Sequence, residues 1–77
     1  RRGPGNVWLA QLVCEQIRSG AAGTPLVIPI TSMAPGASLV EDLVLLHYSS
    51  KLANGKLSFR RGRAILVLGP APFSHGG

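Results

Sequence analysis

Between residues 7 and 19 the apolar side chains Trp8, Leu9, Leu12, Val13 and Ile17 recur at helical spacing, while Gln11, Glu15, Gln16 and Arg18 take the other faces. A first helix is expected there. Asn6 is a good N-cap, Arg18 lies in the last turn where the helix dipole favours a cation, and Gly20 stops the run. Leu26, Val27, Ile28 and Ile30 then make a run rich in β-branched residues and too short for a helix, which predicts a strand. Because Pro25 and Pro29 have no amide to donate, this strand belongs at a sheet edge or ends near Pro29.

Ala34, Pro35 and Gly36 break the chain, and Ser38 stands three residues before Glu41, the spacing of a capping box. The second helix is expected from there to about Ser49 or Ser50, with Leu39, Leu43 and Leu46 lining one face and Val40, Val44 and Tyr48 widening it. Glu41 and Asp42 would complement its positive end. Asn54 and Gly55, flanked by Leu52, Leu57 and Phe59, carry a hairpin signal. Residues 56–60 and 64–68 read as two strands separated by Arg61 and Gly62.

The expected organisation is a flexible basic lead over residues 1–6, a single α+β domain over residues 7–69, and a flexible tail over residues 70–77. The fold class is α+β: two helices packed on a small three-stranded antiparallel sheet, in the order α-β-α-β-β. That order resembles winged-helix domains, whose hairpin forms the wing and which carry two helices between the first strand and that wing. Residues 31–38 have room for no more than one turn.

A second resemblance lies in residues 43–59, Leu-Val-Leu-Leu-His-Tyr-Ser-Ser-Lys-Leu-Ala-Asn-Gly-Lys-Leu-Ser-Phe, continued by Leu68 and Gly69. This stretch is similar to the strand and turn around the aromatic pocket of FKBP-type prolyl isomerases. The resemblance implies Tyr48 and Phe59 as pocket aromatics and a strand through Val44 and Leu46 in place of the second helix. Arg60 stands where that family has an aspartate, and the second half of that domain is missing.

Composition adds a constraint on partners. With 45% apolar and only 14% charged residues over 77 positions, the chain carries less charge than the roughly 25% of an average globular protein. A chain this short exposes much of its surface, so apolar area must face water or be covered. Self-association or a place in a larger complex is therefore expected. Eight Lys and Arg against three acids give +5, which favours anionic partners, nucleic acid among them. Glu41 and Asp42 interrupt the longest apolar region, so no membrane span is expected.

The cations Arg60, Arg61 and Arg63, with Lys51 and Lys56 nearby, make the best anion-binding candidates, since guanidinium groups bind phosphate bidentately. Trp8, Tyr48 and Phe59 are the partner-docking candidates, with Trp8 expected chiefly in the core. Cys14 is the single cysteine. It excludes an internal disulfide, suits a reducing intracellular compartment, and following Leu12 and Val13 is expected to be a buried small hydrophobe. Residues 1–19 carry no expected secretory signal. His47, His75 and Cys14 have no recognised metal-ligand spacing, and the glycines fit no nucleotide loop. No catalytic residue, cofactor, metal or small-molecule substrate is expected. The reading is a non-catalytic interaction or assembly module, with a basic nucleic-acid-binding module as the alternative and a partial isomerase domain as the second.

Overall fold

The computed structural model describes residues 7–33 and 35–70. The expected lead at residues 1–6, with Asn6 as cap, and the tail from residue 71 onward lie outside them. The described chain is α+β, in the order α1 (Val7–Arg18), β1 (Leu26–Pro29), a single 3-10 turn (Ile30–Ser32), α2 (Ala37–Leu52), β2 (Lys56–Arg60) and β3 (Arg63–Val67). The strands form one antiparallel sheet in the order β1-β3-β2.

The register sorts every strand residue onto one of two faces. Ile28 pairs with Ala64, Leu26 and Leu57 both pair with Leu66, and Phe59 pairs with Ala64. This face meets the helices, and Ile28, Ala64, Leu66 and Leu68 are buried there with Leu9, Val13, Met33, Leu46 and Ala53. The opposite face carries Val27, Ile65 and Val67 between Lys56, Ser58, Arg60 and Arg63, all exposed or half-buried. Along β2 the polar Lys56, Ser58 and Arg60 alternate with Leu57 and Phe59, and this pattern sets which side of the sheet takes the helices.

Pro29 ends β1, which is an edge strand, as a residue without an amide donor requires. The turn that follows is the one that residues 31–38 had room for. Helix α2 begins differently from expectation. Its N-cap is Gly36, no side chain caps it, and the amides of Leu39 and Val40 donate to the Gly36 carbonyl at 3.1 and 3.3 Å. Ser38 is therefore already helical, so the capping box with Glu41 does not form, and no acid lies in the first turn.

The helix also runs past Ser50 to Leu52, because Asn54 and Gly55 close the helix instead of turning a hairpin. Asn54 takes a left-handed backbone at φ 51°, and the Gly55 amide donates back to the Ser50 carbonyl at 2.7 Å. A Cβ at Gly55 would collide with the Val67 carbonyl oxygen, so only glycine lets the α2–β2 junction lie against the end of β3. The Gly69 amide ties the same corner by donating to the Ala53 carbonyl at 2.9 Å. The hairpin turn is at Arg61 and Gly62, both left-handed at φ 53° and 75°, the two-residue geometry that matches the twist of paired strands.

Candidate functional site

The site grows from the composition of α2. Asp42, Leu46 and Ser50 are buried on its inner side, with Leu39, Leu43 and Leu45 partly buried beside them. The Ser50 hydroxyl is satisfied within the helix, donating to the His47 carbonyl at 2.7 Å, so the inner side tolerates a buried serine. Val40, Val44, Tyr48 and Leu52 recur every fourth residue on the other side and meet water. Their exposures are 59%, 60%, 61% and 49%. The expectation that Val40, Val44 and Tyr48 widen the core face is not met: the core takes Leu39, Leu43, Leu45 and Leu46, and these three, with Leu52, form a second apolar stripe. A helix apolar all round is normally buried all round.

The stripe adjoins β2. Val40, Leu43, Val44 and His47 of α2 and Leu57 and Phe59 of β2 line an open groove of about 330 Å³ with nearly all of its wall apolar. Phe59 is 56% exposed although it lies on the helix-facing side of the sheet, because β2 is an edge strand and nothing described stands beyond it. Tyr48 lies farther along the stripe and does not line the groove. Trp8 is half-buried against the core, and with Gln11, Leu12 and Glu15 it borders a separate, more polar hollow on α1. Of the three docking candidates, the structure thus sets Phe59 in the groove, Tyr48 near it and Trp8 apart.

Arg60, Arg61 and Arg63 do come together, at the β2–β3 turn, and all three are exposed. Arg60 and Arg63 are direct cross-strand partners on the open face, where like charges opposed across a pair of strands destabilise it. The Arg63 guanidinium donates to the Arg61 carbonyl at 3.5 Å. Lys56 is on the same face as Arg60, and Lys51 follows the α2 stripe. Arg1, Arg2 and Arg18 offset Glu15, Glu41 and Asp42, so the whole net charge of +5 falls after residue 42, where the sequence has no acid at all.

Cys14 is exposed on α1, contrary to the expected burial, because one residue past the buried Val13 a helix has turned about 100° away from the core. Among the described residues no three His, Cys, Asp or Glu side chains are grouped to hold a metal ion, and no helix is long and apolar enough to cross a membrane. The stretch that resembles the isomerase strand, through Val44 and Leu46, is helical in α2. Set against protein-family models, curated proteins and solved structures, the chain matches none.

Two features of the site escape a sequence reading. One is the outward direction of Val40 and Val44, signalled only by an excess of apolar residues over what one helix stripe needs. The other is the contribution of Leu57 and His47 to the groove, which depends on strand order.

Proposed function

We propose that the chain is a small non-catalytic interaction or assembly module that docks a protein partner on the face made by α2 and β2. The observation that carries this is the second apolar stripe of α2, continuous with the groove of Leu43, Leu57 and Phe59. Leaving it in water forgoes stabilisation of roughly 25 cal/mol per Å² of apolar surface, which a partner recovers. A helix that read base edges would offer donors and cations along its free side, whereas the stripe on α2 is chiefly Val40, Val44 and Leu52, with Lys51 the one exposed Lys or Arg of the helix.

One observation favours nucleic acid as a second reading. The hairpin tip holds a repelling arginine pair, Arg60 and Arg63, and sets Arg61 in the left-handed conformation that glycine or asparagine adopts more cheaply. A phosphate between the guanidinium groups would relieve that repulsion.

Photoreactive residues placed singly at Val44, Gln11 and Arg61 separate the two readings in a cell lysate irradiated at a series of salt concentrations. Docking through α2 predicts protein adducts from Val44 that persist at high salt, with none from Gln11. Nucleic-acid adducts from Arg61 that disappear as salt rises, with Val44 silent, would replace the first reading by the second.

A further inference from the structure

The two edges of the sheet are not equivalent, and the difference specifies what kind of segment fits beside the groove. In a two-residue hairpin the residues flanking the turn exchange both backbone hydrogen bonds, so Arg60–Arg63, Ser58–Ile65 and Lys56–Val67 are the bonded pairs. The bond from the Ile30 amide to the Gly62 carbonyl, 2.8 Å, fixes the complementary alternation toward β1. Leu57 and Phe59 therefore turn their N–H and C=O groups outward along the free edge of β2. On β1 the outward positions are Val27 and Pro29, preceded by Pro25, and the prolines offer no donor. Among the described residues one edge is blocked, and the other is an unprotected template for a further strand.

We infer that the β2 edge accepts, as a fourth strand, an extended segment of a protein partner in which acidic residues alternate with apolar ones. The inference rests on the docking reading above and names the partner's chemistry. A strand added about 4.8 Å beyond β2 sets alternate side chains on opposite faces. Those beside Leu57 and Phe59 lie over the groove and cover Val40 and Val44. Those on the other face stand beside Lys56, Ser58 and Arg60, where carboxylates meet two exposed cations in a half of the chain that has no acid of its own. The same charges disfavour a second copy as the occupant in the registers that cover the strand most fully. Antiparallel pairing of two β2 strands about Ser58 opposes Lys56 to Arg60 twice, and parallel in-register pairing sets Arg60 beside Arg60.

The test titrates the full chain with a short peptide alternating glutamate and valine, with its lysine–valine counterpart, and with an oligouridylate, following backbone amide exchange. The acidic peptide is expected to slow exchange of the Leu57 and Phe59 amides by at least about tenfold and the lysine peptide to leave them unchanged. The double variant K56E/R60E, altered only at exposed side chains, is expected to reverse the preference by about tenfold. Equal binding of both peptides, protection of the same two amides by self-association, or binding of the oligouridylate alone would overturn the inference. Shifts at Val40 and Val44 without protection of Leu57 and Phe59 would also overturn it while leaving groove docking intact. Docking itself fails separately, by silence of the Val44 photo-crosslink.

Discussion

Helices α1 and α2 both pack on the same core, yet only one is finished as a surface helix. On α1 the buried side is Leu9 and Val13, and the free side is largely Gln11, Cys14, Glu15 and Arg18, with Val7 and Ile17 isolated toward its ends. On α2 the buried side is Leu46 with its leucine neighbours, and the free side is Val40, Val44, Tyr48 and Leu52. The hollows beside the two helices, about 320 and 330 Å³, are nearly the same size but opposite in character: one mixes Trp8 and Leu12 with Gln11 and Glu15, and the other is almost wholly apolar. Folding explains one apolar stripe per helix. Among the described residues nothing covers the second stripe of α2, and that is the reason to assign it to a partner.

The comparison breaks most severely in the core. Leu46→Ala and Leu9→Ala should each cost about 2 to 5 kcal/mol in urea unfolding, since both side chains are fully buried. A domain of this size holds about 4 to 12 kcal/mol in total, so either change brings it close to unfolding. Gly55→Ala comes next, at about 1 to 3 kcal/mol, because the new methyl meets the Val67 carbonyl and the junction must open.

Val44→Lys sharpens the contrast between the helices. It should leave the melting transition of the isolated chain within about 0.5 kcal/mol of the parent while weakening partner docking by tenfold or more. Gln11→Lys should change neither. A Val44→Lys chain that unfolds would mean that the stripe serves the fold itself. The smallest effects belong to the hairpin, where Arg61→Asn should stabilise by about 0.5 kcal/mol through the left-handed backbone. Arg60→Glu should add a few tenths by turning the pair with Arg63 attractive.

Much of the architecture was legible because local signals agreed with each other. Gly20 marked the end of α1, Pro29 marked an edge strand and its end, and the strands at residues 56–60 and 64–68 lie at Lys56–Arg60 and Arg63–Val67. The errors came where one signal serves two structures. Asn54 and Gly55 suit a hairpin because both tolerate positive φ, but a helix end asks for the same freedom, and only the chain beyond decides between them. Ser38 and Glu41 have capping-box spacing, yet Gly36 starts the helix earlier and removes Ser38 from the cap. The three arginines were legible as a cluster since they are adjacent in sequence. The groove was not, since it needs β2 at the edge and α2 turned so that its valines face outward.

The most direct test of the central claim, that the free face of α2 is built to be covered, is chemical-shift mapping of the chain with small aromatic and alkyl probes. Such fragments settle where apolar walls converge. The account predicts saturable shifts centred on Val40, Val44, His47, Leu57 and Phe59, and none on α1. Shifts centred on Trp8, Gln11 and Glu15, or no saturable shift anywhere, would contradict it.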